Sequence, residues 1–542
     1  MEGGGGVDAA GGGVHTWRLA HVCAFAFLLH LKPSEPHIVP YLTDVKGFTN
    51  ESVANDIFPV SIYASLVFYL VAGPVSRRIG LKTFVLLGAT CKLWTRILLV
   101  WGTSLGAMQS TQVLFAAGSS ADAILLAYAY AVARKDDGDA HPTPTSMPNP
   151  NPPSARPGGR YRTVTAAISA SHLGSYTLAA LFGQIAYESG ASYASLFRFS
   201  LGSVAAGCVL GCFLPSAPFD RGPGLLLYTA RPTRTTYAPR PTRTLREELH
   251  ALAKATRDAF DATTSACYGS GVMIVLSAWW VLSAAPASFL EWYGTNLFDV
   301  IDGDADVNGY VVFFARLAMT AAAWAGGSEW VGGRDTAGPS DPWFYAGTSA
   351  FVGVCAFAMS ASNVVAVAAG FYCAALAASQ GGAVVVYAQA ALAMDALAAS
   401  RERAKGSSGL AEEGGGGGGG GDGLGGGSSA PASSPDHALL FGANGFLGVC
   451  ALVLLQAFVD AARVGIRAEI AAAGWACVFA SGATVTLAAA RARAFGLGGW
   501  ALEPTGADLG AGEALMAADD EDDEDVGAMA EADASGLLGR NA

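Results

Sequence analysis

Apolar residues recur along this chain in runs long enough to cross a bilayer, which a soluble core would not need. The runs predict helices over 17–36, 56–76, 82–102, 106–133, 163–187 and 193–214. After a long hydrophilic interval they predict six more, over 270–298, 307–326, 342–362, 364–395, 438–461 and 470–492. The ninth and tenth of these are the least cleanly separated by polar residues.

Six and six, split by a central loop, is the arrangement of the major facilitator fold. The expected class is therefore an all-α polytopic membrane protein with about 12 transmembrane helices in two six-helix halves, 17–214 and 270–492. The Gly-rich start (1–16), the Pro-rich 142–157, the Gly-rich insert (396–437) and the acidic tail (493–542) are too poor in apolar residues to offset ordering entropy. The central loop, 215–269, differs in one part: Leu245, Leu249, Leu252 and Ala253 share a helical face, so a short amphipathic helix is expected over Leu245–Phe260.

Composition agrees with a membrane protein. Of 542 residues, 52% are hydrophobic and only 14% charged, with a mean hydropathy of +0.37. The formal net charge of -12 says little about a ligand, because much of it sits in the acidic run Asp519–Asp525. The nine cysteines show no metal-binding or disulfide spacing, and no G-x-x-x-x-G-K-[ST] loop of an ATP-driven pump occurs. Neither a cofactor nor a nucleic-acid partner is expected.

Basic residues set the orientation. Arg77, Arg78, Lys82, Arg134, Lys135, Arg160, Arg162 and the arginines of the central loop all fall on one side, which the positive-inside rule makes cytoplasmic. Asp44, Glu51, Asp299, Asp302, Asp304 and Asp306 fall on the other. Both termini are then cytoplasmic, and the sequon Asn50-Glu51-Ser52 lies outside as a glycosylation candidate. A plasma membrane is favoured over an organellar one.

Chemistry in such a chain comes from polar groups inside the helices. Asp122, deep in the fourth helix, is the clearest, since a carboxylate at the bilayer centre costs about 2.5–3.5 kcal/mol and should face the bundle interior. A structural alternative pairs it with Lys92 or Arg96. Glu35, between Pro33 and Pro36 at the end of the first helix, is either a functional group or a solvated helix end. Glu291 and Arg316 are intramembrane charges left without a role.

The stretch Leu31-Lys32-Pro33-Ser34-Glu35-Pro36-His37-Ile38-Val39-Pro40-Tyr41-Leu42 resembles the first helix of the reduced folate carrier family, the folate and thiamine transporters, whose thiamine-type members carry a KPSEP-like segment followed by PYL. The likeness continues through Phe48–Val60 and returns at Ala107-Met108-Gln109, Tyr161–Val164, Trp279-Trp280, Val307-Asn308-Gly309 and Phe441–Asn444. The resemblance implies a secondary active transporter of a vitamin, working by alternating access. Asp122 falls where thiamine-type members have Glu and folate-type members Arg, which implies a cationic substrate, thiamine above all, with a folate or other anion as the alternative. A transport-dead receptor or scaffold is the alternative from another class.

By the same resemblance Tyr176 faces the cavity, and Trp292 and Tyr293 match a polar or aromatic pair of the seventh helix. Leu125, Ser61 and Val312 depart from the family at a tyrosine, a tryptophan and an acidic position, for which Trp94, Trp292 and Tyr128 could compensate. The expected substrate-binding set is Glu35, Asp122, Tyr128, Tyr176, Trp94, Trp292 and Tyr293. The resemblance implies proton coupling without identifying a coupling residue.

Overall fold

The computed structural model of the chain describes residues 13–138, 157–216, 254, 257, 270–301, 308–328, 331, 341–413 and 437–494. Among these residues there is no strand, and twelve long helices carry the architecture. They are α1 (Gly13–His30), α2 (Phe58–Ile79), α3 (Leu81–Trp101), α4 (Leu105–Gly138), α5 (Pro157–Glu188) and α6 (Tyr193–Cys212) in the first half. The second half holds α7 (Gly271–Tyr293), α8 (Asn308–Gly327), α9 (Pro342–Ala361), α10 (Val365–Glu413), α11 (His437–Ala462) and α12 (Ile466–Ala494). Ten of the twelve are long and apolar enough to cross a membrane; α1 and α5 are not, and both carry polar groups of the cavity described below.

The two halves repeat one packing scheme. In the first, α1 packs on α4, α5 and α6, α3 on α4 and α6, and α2 on α4. Adding six to each number gives the second: α7 on α10, α11 and α12, α9 on α10 and α12, and α8 on α10. The halves meet where α2 packs on α11 and α5 on α8, again a symmetric pair. An inverted or parallel repeat with a polar space at its interface is the architecture of secondary transporters.

Small residues let the halves approach closely at one end. A Cβ on Gly73 of α2 would lie 3.0 Å from the Leu439 Cα of α11, and one on Gly442 would lie 3.0 Å from the Gly73 nitrogen. At the α5–α8 crossing a Cβ on Gly327 would sit 2.2 Å from that of Ala166. Without a hydrophobic drive between helices in lipid, such backbone approach supplies the dispersion contact that holds them.

Several boundaries differ from those the sequence predicts, each for a local reason. The first helix stops at His30, not at 36, because Pro33 has no N–H to donate and crowds the preceding turn. The chain continues through a short helical turn Glu35–His37 and a widened turn Tyr41–Val45. The seventh helix ends at Tyr293, and a separate six-residue helix, Asn296–Ile301, follows. The ninth and tenth helices part at Ser362, where Arg467 donates to the Ser360 and Ser362 carbonyls at 2.9 and 2.6 Å.

The tenth helix runs on to Glu413, into the segment expected to be an insert, because its Ala, Glu, Arg and Lys residues favour helix up to the glycine tract. Of the expected amphipathic helix Leu245–Phe260, only Lys254 and Arg257 lie within the described residues; 1–12, 142–156, 414–436 and 495–542 lie outside them, while Pro157 opens α5 and the first two residues of the expected tail close α12.

Candidate functional site

A cavity of about 530 Å³ lies between the halves, walled by Ser61 and Tyr69 of α2, Asp122 of α4, Tyr176 of α5, Trp280, Glu291 and Trp292 of α7, Arg316 of α8 and Tyr387 of α10. Its size falls within the range of small-molecule sites. It reaches the end of the bundle where α2 begins and α7 finishes. At the other end it is shut.

On one side the cavity wall is backed by linked ionic pairs, of which Asp122 reaches the cavity itself. Lys92 of α3 lies 2.5 and 2.7 Å from the two Asp122 oxygens, so the structural alternative for Asp122 is realised with Lys92. Four residues along the same face of α3, Arg96 holds Glu35 at 2.6 Å, and Lys32 stands 3.6 Å from the same carboxylate. A smaller space of about 30 Å³ adjoins the cavity and is walled by His30, Lys32, Lys92, Arg96, Asp122 and Tyr176 among others. The break after His30 makes this possible, because it turns Lys32, Ser34 and Glu35 away from the helix axis toward α3 and α6, where the Ser34 N–H donates to Ser200 at 3.1 Å.

Exposure within these pairs is uneven. Asp122 is 26% exposed against 9% for Lys92, and Glu35 32% against 4% for Arg96. At the cavity wall the Asp122 carboxylate lies in front and Lys92 behind it, whereas Glu35 lines neither space. Across the cavity Arg316 binds Glu291 at 2.5 Å, the two charges the sequence left unassigned, and its guanidinium sits 4.9 Å from the Tyr176 ring. Tyr176 therefore faces cations from both halves, since the Lys32 ammonium lies 5.3 Å from the same ring.

The other expected site residues are spread out. Trp292 lines the cavity near its mouth and is half exposed. Trp94 is 52% exposed on the outer surface of α3 and belongs to neither space. Tyr128 is fully buried and its hydroxyl donates to the Pro215 carbonyl, away from the cavity. Tyr293 packs in a tilted arrangement on Phe289, with ring centroids 4.8 Å apart, within the second half. Asn50 opens a short helical turn, Asn50–Ser52.

Two groups of residues went unmarked in the sequence. One is the histidine pair His30 and His172, stacked at 3.8 Å beside Asp122; a polar residue at position 30 of a membrane helix was the available signal. The other shuts the cavity. Asp395 of α10 takes an ion pair from Arg134 of α4 at 2.5 Å, a hydrogen bond from Tyr161 of α5, and lies 3.2 Å from His437 of α11. Tyr130 packs against Tyr161, His437 and Phe441 just above, and buried Arg162 donates to the Val331 carbonyl at 2.5 Å.

Comparison with known proteins agrees with this geometry. The family model for the reduced folate carrier matches residues 15–327. The chain is 26% identical to thiamine transporter 2 of Homo sapiens over 231 residues, 42% of this chain and 41% of that one. It is 23% identical to the reduced folate transporter of Rattus norvegicus over 319 residues, 57% of this chain and 58% of that one. A folate-like transporter of Dictyostelium discoideum is 33% identical over 106 residues, 20% of this chain and 19% of that one. The matched regions thus span between a fifth and three fifths of these relatives. Among solved structures, the major facilitator proton:xylose symporter XylE superimposes with a TM-score of 0.54 at 10% identity, covering 86% of this chain and 94% of that one.

The helix order and symmetric seams are those of the major facilitator fold, and the family model covers more than half of the chain, including every ionic residue of α1, α3 and α4 named above; the chain belongs to the reduced folate carrier family.

Proposed function

We propose that the protein is a secondary active transporter of a vitamin-sized organic cation, thiamine in the first instance, taken up by alternating access. The observation that carries this reading is the uneven exposure of the ion pairs: a ligand entering the cavity meets the Asp122 carboxylate before Lys92. A charged ring nitrogen or exocyclic amine finds an acceptor there, with Tyr176 and Trp292 offering aromatic faces on either side. Glu35 acts one step behind, holding Arg96 and Lys32 in place. Trp94, Tyr128 and Tyr293 are outside this site.

One observation favours a second reading. The three carboxylates Glu35, Asp122 and Glu291 are set against four bases, Lys32, Lys92, Arg96 and Arg316, so the cluster carries a surplus positive charge with its histidines neutral. An organic anion such as a reduced folate would suit that total. Local exposure favours the cation and the total charge favours the anion; the cation reading rests on direct contact, since the interaction grows as distance falls and Asp122, not Lys92, is the group a ligand in the cavity can touch.

With the basic side of the bundle cytoplasmic, both termini lie inside, the shut end faces the cytoplasm and the structure is outward-facing. The experiment is uptake of labelled thiamine and of a labelled reduced folate into proteoliposomes holding the full chain. Saturable thiamine accumulation supports the proposal, folate accumulation in its place supports the second reading, and binding without accumulation indicates a receptor.

A further inference from the structure

The histidine beside Asp122 is held in one tautomer by its own helix. His30 Nδ1 lies 2.8 Å from the Ala26 carbonyl, which can only accept, so the ring proton is on Nδ1 and Nε2 carries a lone pair. That lone pair faces two groups at once. Lys92 Nζ donates to it at 2.8 Å, and Asp122 Oδ2 stands 3.3 Å away, while Lys92 also holds both Asp122 oxygens. Neutral His30, cationic Lys92 and anionic Asp122 thus form a closed triad with no net charge.

Adding one proton has a defined outcome. It binds the Nε2 lone pair, no covalent bond breaks, and the new N–H is aimed at Asp122 Oδ2 in place of the hydrogen bond from Lys92. Lys92 then loses an acceptor and faces a like charge at 2.8 Å, so it must release part of its hold. Other charged or titratable neighbours act on the ring as well: His172 stacked at 3.8 Å and Tyr176 at 5.5 Å from α5, Arg96 one turn beyond Lys92 on α3, and Lys32 and Glu35 from the segment after α1. His30 is 2% exposed, and the space of about 30 Å³ beside it, room for one water, adjoins the transport cavity through Asp122 and Tyr176.

We propose that His30 Nε2 is a proton-binding site of the transport cavity, at which one proton and a cationic substrate exclude each other because both draw on Asp122. This rests on the reading of Asp122 as the cation's partner. Each ligand alone raises the buried triad from zero to one positive charge, and both together would raise it to two. Binding of the cation therefore expels the proton from this site, and binding of the proton weakens the hold on the cation. With an anionic substrate the same site would act in the opposite sense, the proton and the anion binding together.

The test is equilibrium binding of labelled thiamine to the purified full chain between pH 5 and 8, with His30→Gln alongside. Glutamine keeps an acceptor near Nε2 and cannot take the proton. For the native chain the apparent Kd should rise tenfold for each pH unit below the pKa of the site, and for His30→Gln it should not vary with pH. Lys92→Gln, which removes the competing donor, should move the pH dependence to higher pH. A readout that needs no variant is proton release: thiamine added to the native chain in weak buffer at acid pH should release close to one proton per site, read by an indicator dye. A pH-independent native Kd, an unaltered slope in His30→Gln, or binding without proton release would each overturn the proposal. Failure of the cation reading looks different: thiamine binds at no pH while a reduced folate does. The folate Kd should then fall tenfold per unit of acidification in the native chain and stay flat in His30→Gln, and a slope shared by both would still overturn the proton site.

Discussion

Asp395→Asn should weaken the shut end of the cavity without touching the substrate site. Asp395 accepts from Arg134 and Tyr161, both on the opposite half, whereas its third neighbour, His437, is on its own half and stays with it when the halves part. Two charge-assisted cross-half bonds are therefore at stake, each worth about 1.5–3 kcal/mol. Asparagine keeps one neutral acceptor, worth about 0.5–1.5 kcal/mol, and the 20–28% exposure of the Arg134 pair lets water take part of the loss. A net weakening of about 2–3 kcal/mol remains, which shifts the equilibrium between the two access states by about 30- to 160-fold.

Hydrogen–deuterium exchange reads this directly. Peptides around Tyr130–Arg134, Tyr161–Thr165 and Asp395 should exchange faster in the variant, while peptides at the mouth, from the start of α2 and the end of α7, should exchange more slowly as that end closes. Opposite signs at the two ends are the required signature. Faster exchange at both ends would mean simple destabilisation, and no change at either end would mean that the Asp395 cluster does not hold the halves together; both refute the argument.

Four further outcomes are expected. Asp122→Asn should raise the apparent KM for thiamine by about tenfold or more, corresponding to loss of a charge-assisted bond of about 1.5–3 kcal/mol, measured on folded protein at the surface because buried Lys92 also loses its counter-charge; an unchanged KM would remove Asp122 from the site. Glu35→Gln leaves the buried Arg96 without a counter-charge and should lower stability by about 3 kcal/mol, part of which Arg96→Gln in the same chain restores; strictly additive losses in thermal unfolding would show that the pair is not coupled. Gly442→Val places a branched side chain against the Gly73 backbone and should reproduce the exchange pattern of Asp395→Asn at a cost of about 1–3 kcal/mol, whereas native exchange would show that the crossing has slack. For topology, a tag inserted near Gly420 should be reached by antibody only after permeabilisation, and Asn50→Gln should abolish a glycosidase-sensitive shift in mobility; labelling in intact cells would reverse the orientation.

Helix number and order were legible because each apolar run carries its own evidence, needing no partner to be recognised. The intramembrane carboxylates were legible for the same reason: Asp122 and Glu35 are costly wherever their helices pack. What they bind was not. Lys92 and Arg96 share a face of α3 by their spacing of four, but whether that face meets α1 or α4 depends on the tertiary crossing of helices; it meets α4 at Asp122, α1 at His30 and the turn after α1 at Glu35. His30 reads in sequence as an ordinary polar residue near a helix end, and its role depends on Ala26 one turn back and on groups 62 and 92 positions away. Asp395 lies 234 positions from Tyr161 and stands where the expected helix gives way to a Gly-rich insert, so nothing local marked it. The aromatic candidates show the opposite error: Trp94 is half exposed on the outside of the bundle, and anchoring or packing is the commoner fate of a tryptophan in a spanning helix.

The glycine contact between α2 and α11 has a mechanical corollary. Gly73 and Gly442 meet backbone to backbone, so this crossing is a fulcrum lying close to one end of both helices. Phe58, at the start of α2, is 15 residues from Gly73, a lever of about 22 Å at 1.5 Å per residue. A tilt of about 10° about the fulcrum would carry that end through about 4 Å. The mouth can thus narrow over a bound ligand by a displacement comparable to an aromatic side chain while the fulcrum barely moves, and occlusion at one end need not wait for the Asp395 cluster at the other to let go.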